Sequence, residues 1–381
     1  MINRSAFVVA ICIVATVSTS ALPRFASRTG LACSSCHVNP DGGGMRTAFG
    51  LSYGRDDITD KTLQDQYGLS DFSTQITDFL SYGVDFRFLA FYQMYKKQNA
   101  PDVSQSSFFP MQADVYFNLA IAKKINLFVN PAFGPFNRYE VFGIAKVLPW
   151  NGYVKLGRFT PPYGLRFDDH TSFVRQTNPF RYNAGQQTGI ELGVNPEPLS
   201  LSGAVTNGIV GDLDSKLAKA IFGTAEARFK LDPVRVMVGV TSYNDVSVVG
   251  KLNMFGAFGT LSLFQRLTVT GDAEWIKGNL SSMSIDADMF DRNTANTDLK
   301  QFALMFEADY PLAQGFDLKL MYDFFDPNTE IKAGAATRYS AGFEFMPYAG
   351  VEVRPLLRYT KDTTLPNRDI TDLQVVFHLY L

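Results

Sequence analysis

The sequence predicts an all-β fold, a transmembrane outer-membrane β-barrel of about sixteen strands behind a short N-terminal segment of different character. Three observations predict it. Apolar and polar residues alternate through segment after segment of about ten residues. The links between these segments alternate between short and long. The chain ends in "DLQVVFHLYL", where Leu373, Val375, Phe377, Leu379 and Leu381 share one face.

From the N-terminus, "MINRSAFVVAICIVATVSTSALP" reads as a secretory signal peptide over residues 1–21. Arg4 is its positive region, Phe7 to Val17 its apolar run, and Thr19, Ser20 and Ala21 its small cleavage site. The run falls short of the roughly 18 apolar residues that a membrane anchor needs. Cys12 leaves with the leader, so the mature chain keeps two cysteines, Cys33 and Cys36. Lys and Arg number 35 against 37 Asp and Glu, a net charge of −2, so no basic excess points to nucleic acid.

Residues 22–60 hold "ACSSCH". A Cys-x-x-Cys-His run lets two thiols add to the vinyl groups of a haem while the next imidazole ligates its iron. Cys33 and Cys36 would therefore attach one covalent c-type haem, with His37 as proximal ligand. A zinc site needs about four Cys or His ligands, and the mature chain has two cysteines and three histidines. A thioredoxin-type dithiol expects a βαβ context, which is absent. A vicinal disulfide stays open as an alternative. For the distal position, Met45 lies about eight residues along, close enough to turn round a porphyrin edge at roughly 3.3 Å per residue. His170, His378 and an open site are the other candidates. Arg24, Arg28 and Arg46 flank the motif and could pair with haem propionates. Gly42, Gly43 and Gly44 allow close approach to a flat ligand or form a plain linker.

After a connector at 61–79, the barrel occupies 80–381. In 112–121 one face reads Ala113, Val115, Phe117, Leu119 and Ile121, against Gln112, Asp114, Tyr116, Asn118 and Ala120. In 301–310 Phe302, Leu304, Phe306, Ala308 and Tyr310 oppose Gln301, Ala303, Met305, Glu307 and Asp309. A soluble sandwich also alternates, but its strands average about five or six residues. Tight links are expected at 123–126, 149–152, 195–198, 231–233, 311–315 and 347–350. Longer loops are expected at 96–110, 159–186, 208–216, 277–299, 326–336 and 361–371. Counting strands puts 160–186 on the outer side after strand five. In sixteen-stranded porins the corresponding loop often folds back to narrow the pore. Here Arg166, Arg175, Arg181, Asp168, Asp169 and His170 either line such a constriction or are ordinary solvated charges on an exposed loop. Acidic clusters (Asp168 with Asp169, and Asp286, Asp288, Asp291) would attract a divalent cation.

The stretch Phe25, Ala26, Thr29, Gly30, Cys33, Cys36, His37, Phe49 and Gly50 resembles the N-terminus of the outer-membrane fused monohaem cytochrome–porins, whose best-known members are iron(II) oxidases. The likeness covers residues 25–50 and departs at "NPDGGGMR". It implies haem attachment at Cys33, Cys36 and His37 and a barrel in the lipid of the bacterial outer membrane. It also implies an electron route from an extracellular donor, Fe(II) or another reductant, to a periplasmic electron carrier, an iron(II):cytochrome c oxidoreductase activity. The segment at 22–60 is too short to bury a core alone, so it would plug the barrel at the periplasmic side. The competing reading is a transport porin with the haem segment as structural or regulatory plug, in which Arg354 and Arg358 favour anions. Porin-like barrels occur as trimers, and nothing in the sequence selects an oligomeric state.

Overall fold

The computed structural model describes residues 23–67, 73–97, 101–132, 139–167, 169–177, 185–208, 218–247, 250–280, 298–332, 334–362 and 368–381. The leader at 1–21, Asp168, Arg181 and the cluster of Asp286, Asp288 and Asp291 lie outside the described residues.

The N-terminal segment forms α1 (Pro23–Thr29), a 3-10 turn (Cys33–Ser35), α2 (Ala48–Tyr53) running into a π-helical turn (Gly54–Ile58), and α3 (Lys61–Tyr67). A short strand β1 (Gln75–Thr77) pairs with the base of the first barrel strand. The barrel consists of β2 (Leu80–Lys97), β3 (Val103–Ala122), β4 (Ile125–Asn130), β5 (Glu140–Leu148), β6 (Gly152–Phe159), β7 (Gln187–Val194), β8 (Leu199–Thr206) and β9 (Ala220–Leu231). It continues through β10 (Val234–Ser247), β11 (Gly250–Leu263), β12 (Leu267–Leu280), β13 (Asp298–Ala313), β14 (Phe316–Asp326), β15 (Ala336–Tyr348), β16 (Val351–Asp362) and β17 (Arg368–Tyr380). The helix α4 (Phe173–Thr177) interrupts the connection from β6 to β7.

Every barrel strand pairs antiparallel with its sequence neighbours, and β17 closes the ring on β2 through Arg368↔Lys97 to Tyr380↔Asp85. The described residues thus form sixteen barrel strands, as the alternation predicts. Closure leaves no sheet edge, the condition for crossing a bilayer with strands.

The two faces sort as the parity predicts. Trp275, Phe306, Tyr339, Leu357 and Phe377 stand outward and exposed, while Glu274, Glu307, Arg338, Arg358 and His378 on the same strands are buried in the lumen. A soluble sandwich would bury the aromatic face instead. Outward rings form a ladder across strands: Phe255 to Trp275 at 5.9 Å, Trp275 to Phe302 at 5.2 Å and Phe302 to Phe324 at 6.2 Å between centroids.

Two links differ from the sequence expectation. Much of 96–110 is strand rather than loop, since β3 begins at Val103. A bulge between Arg87/Phe88 and Gln112/Pro110 inserts Met111 and shifts the parity, so the alternation read from 112 onward does not continue backward through it. The turn from Leu263 to Leu267 carries no Gly, Pro or Asn. Instead Phe264 and Gln265 adopt left-handed φ of 53° and 57°, which gave no composition signal.

The N-terminal segment sits inside the barrel at its short-turn end. The Asp60 amide donates to Met346 O (3.0 Å), and Gln314 Nε2 donates to Asp56 O (3.1 Å). Gly30 lies against Lys230, beside the β9–β10 turn. Residues 160–167 and 169–177 fill the lumen from the opposite end, with Phe167, Phe173 and Val174 packed against Met305, Met321 and Phe325 of the wall.

Candidate functional site

The haem-type motif is held as one turn. The amides of Cys36 and His37 both donate to Cys33 O, at 3.1 and 3.0 Å. Helix α2 docks on this turn. Thr47 N donates to Cys36 O (2.8 Å), Thr47 Oγ1 donates to Ser35 O (2.9 Å), and the same oxygen caps α2 by accepting from Gly50 N (3.1 Å). Gly50 is required there: a Cβ would stand 2.4 Å from Cys36 O. No disulfide joins Cys33 to Cys36. Burial, followed by the nearby Glu226 carboxylate, pushes the Cys33 thiol up to about 12.

Beyond the turn the chain doubles back. His37 and Arg46 form an antiparallel bridge, and Val38 N donates to Met45 O at 3.1 Å. The reversal uses Gly42, Gly43 and Gly44, all at positive φ (85°, 73° and 62°), a run that L side chains would strain. Paired residues of an antiparallel bridge share a face and successive residues alternate. His37 and Arg46 therefore point one way, and Val38 and Met45 the other. Met45 is buried beside Tyr116 and Phe128, with its Cγ 3.1 Å from where a Cβ on Gly83 would stand.

His37 and Arg46 line one cavity, whose empty space with its open mouth included is about 1200 Å³. Its walls combine aromatic rings (Phe25, Tyr53, Tyr116, Phe128) with Arg87 and Arg166. His170 and His378 line it too, so all three histidines of the chain meet at one cavity. His170 arrives on the infolded loop, where Arg87 Nη1 lies 2.9 Å from its Nε2. Arginine only donates, so that nitrogen carries the lone pair. His378 is fixed at both ring nitrogens, Nε2 3.1 Å from Asp85 Oδ1 and Nδ1 2.9 Å from Glu352 Oε2. Cys33 faces a smaller neighbouring cavity of about 830 Å³, and Cys36 is fully enclosed.

The other flanking arginines serve the wall. Arg24 Nη1 meets Asp309 Oδ1 at 3.0 Å and its Nη2 pairs with Glu344, while Arg28 Nη1 meets Asp317 Oδ2 at 3.1 Å. On the far side Lys155 Nζ holds Asp41 Oδ2 (2.6 Å), Glu191 Oε2 (2.7 Å) and Asn39 Oδ1 (3.1 Å), and Tyr153 donates to Glu191 (2.6 Å). The infolded loop is latched by Arg358 to Asp169 (2.7 Å), by Arg338 Nη2 donating to Thr171 O (2.6 Å) and by Phe173 N donating to Asp323 (3.1 Å). Arg175 Nη1 donates to Phe167 O at 2.6 Å within that loop. Sequence parity places Lys155 and Arg87 in the lumen, but nothing in the sequence announces their partners. Among the described residues, no group of three or more His, Cys, Asp or Glu side chains is arranged to hold a metal ion.

Comparison with protein-family models gives no match, and a search of curated proteins gives none either. Among solved structures the chain is similar to Pseudomonas putida OprB (9% identity, TM-score 0.58, covering 79% of this chain and 94% of that one). It is also similar to an anion-selective porin from Comamonas acidovorans (14%, TM-score 0.53, 79% and 99%) and to the outer-membrane protein OmpT of Vibrio cholerae (10%, TM-score 0.51, 81% and 100%). At these identities the likeness is one of fold, and the fold is that of the sixteen-stranded outer-membrane porins, here with an N-terminal segment folded into the lumen.

Proposed function

We propose that this chain is a monohaem cytochrome–porin of the bacterial outer membrane, passing electrons from an extracellular donor, with Fe(II) as the leading one, to a periplasmic carrier. The observation that carries the reading is the meeting of His37, His170 and His378 at one cavity beside a Cys-x-x-Cys-His turn. Cys33 and Cys36 would hold one c-type haem through thioethers, and His37 would ligate its iron. When bound, that group supplies one-electron exchange between ferric and ferrous iron. The chain's own contribution is to fix the turn through α2, to exclude water with Phe25, Tyr53, Tyr116 and Phe128, and to close the outer side with the latched loop. Of the distal candidates, His170 and His378 share His37's cavity, whereas Met45 lies on the other face of the bridge. Fe(II) would release one electron, becoming Fe(III), and the periplasmic carrier would accept it. The short-turn end, where the plug sits, would face the periplasm, as short turns do in such barrels.

The test is an anaerobic visible spectrum of the purified oxidised protein before and after Fe(II). Growth of reduced-haem bands supports the reading. Haem that dithionite reduces and Fe(II) does not removes Fe(II) as donor.

A second reading, a transport porin plugged by this segment, is supported by the likeness to porins, one of them anion-selective. It expects single-channel conductance with anion preference in planar bilayers, and no reduction by an outside donor.

A further inference from the structure

We infer that Arg46 is the anchor for a carboxylate of the group held in the His37 cavity, the haem propionate if the proposed function is right. The inference rests on that reading and deepens it.

Four arginines lie in the N-terminal segment that enters the barrel, and the structure gives them different work. Arg24 and Arg28 are spent on wall carboxylates, and Arg55 pairs with its neighbour Asp56 at 2.8 Å on the surface. Arg46 has no carboxylate partner among the described residues. Its guanidinium carbon lies over the Tyr380 ring, 3.9 Å from the centroid, and a guanidinium held by a ring face still has N–H donors for another group. The bridge register sets it on His37's face, and both side chains line the same cavity.

A planar fork of donors beside the metal-ligating imidazole matches a carboxylate in two-point contact. The bridge also sets the spacing: the backbones of His37 and Arg46 are paired across an inter-strand gap of about 5 Å. Tyr380 belongs to the last strand, so the barrel wall aims this arginine and the plug merely carries it. Asp85, Glu352 and Glu140 share the cavity. Asp85 is engaged by Arg87 and His378, Glu352 by His378, and Glu140 accepts from Thr160 N and Oγ1. The other cavity charges have contacts of their own: Arg87 with Asp85 and His170, Arg166 with Thr160 O (3.1 Å), Arg175 with Phe167 O (2.6 Å) and Asp114 with Gln112. Arg46 is the arginine of the N-terminal segment that lines this space.

The experiment compares wild type, Arg46→Gln, Arg46→Lys and Arg55→Gln as full-length proteins in detergent. Covalent haem per chain is counted first. A wild type without haem sinks the proposed function itself, not this assignment. With haem present, Arg46→Gln is expected to lower the midpoint potential, because an uncompensated propionate favours ferric iron, and to shift the propionate-bending band in the resonance Raman spectrum. Arg46→Lys restores the charge and part of the potential but not the band, while Arg55→Gln changes neither. An unshifted band in haem-loaded Arg46→Gln overturns the assignment. So does an unshifted band with a loss of anion selectivity in planar bilayers, which would give Arg46 to a permeating anion.

Discussion

Two anchors hold the N-terminal segment in the barrel, and they run with opposite polarity. At α1 the plug brings cations, Arg24 and Arg28, to an acidic patch on β13, β14 and β15. At the glycine-rich reversal the plug brings an anion, Asp41, to Lys155 on β6. Arg24 and Lys155 are each 1% exposed or less. The difference lies in what remains if the cation is lost. Without Arg24, Asp309 keeps Lys319 at 2.9 Å, while the buried Glu344 keeps only Arg354 at 3.9 Å. Without Lys155, Glu191 still accepts from Tyr153, and Asp41 sits nearer the opening. A plug held by complementary charge on two sides has one orientation, because turning it round would set like charges together.

The largest expected effect follows from the first anchor. Arg24→Met takes from Glu344 its close cation and from Asp309 one of two, and breaking a buried pair from one side costs about 3–5 kcal/mol. The plug should become protease-sensitive and the pore conductive, while the barrel keeps its heat-modifiable migration. Unchanged protease protection would show that α1 is held by packing alone. Lys155→Met should cost less, about 1.5–3 kcal/mol, the worth of a hydrogen bond to a charged group, with exposure confined to residues 39–44. Equal losses in the two variants would erase the asymmetry drawn here.

Gly50→Ala tests the dock of α2 on the motif. Its methyl must displace the Cys36 carbonyl, and overpacking of this kind costs about 1–3 kcal/mol; covalent haem yield is the readout, and a full yield would mean the turn adjusts freely. The second anchor also has an acid limit. Burial would raise the Asp41 carboxyl, but Lys155 and then Arg166 outweigh it and hold it below the usual carboxylate range. Its contribution is therefore complete above the unfolded value of about 3.9 and is lost as pH falls through the lower folded value. Protease protection of the reversal should be level from pH 8 to 5 and decline below about 4; a decline already at pH 6 would point to another group. The smallest effect belongs to Arg55→Gln, whose exposed pair with Asp56 is worth about 0–1 kcal/mol, so haem content and protection should match wild type.

Much of the barrel is legible from residues 80 onward because a strand's period of two sorts each side chain to lipid or lumen independently of its partners. Leu373, Phe377 and His378 take the sides their parity assigns. The reading fails where a local device breaks the period, at the Met111 bulge, or where a tight turn is made without turn residues, at Phe264 and Gln265. Length and place leave the loop after strand five either infolded or exposed, and the structure buries its Asp169 and His170. The spacing of Cys33, Cys36 and His37 is likewise read from one short segment, and the structure folds it as a single turn. The division of labour among Arg24, Arg28 and Arg46 is not, since all three flank the motif alike in the sequence.

What the sequence by itself determined is local and periodic: the two faces of each strand, the alternation of short and long links, and a Cys-x-x-Cys-His turn whose geometry spans five residues. What only the tertiary structure decided is non-local: that residues 37, 170 and 378 reach one cavity, that Lys155 answers Asp41, and that Arg46 faces the space beside His37. The physical reason is that periodicity follows from backbone geometry, which each segment carries with it. The pairing of buried charges depends on closure of the ring and on the depth to which the plug is drawn, and neither is written in any one segment.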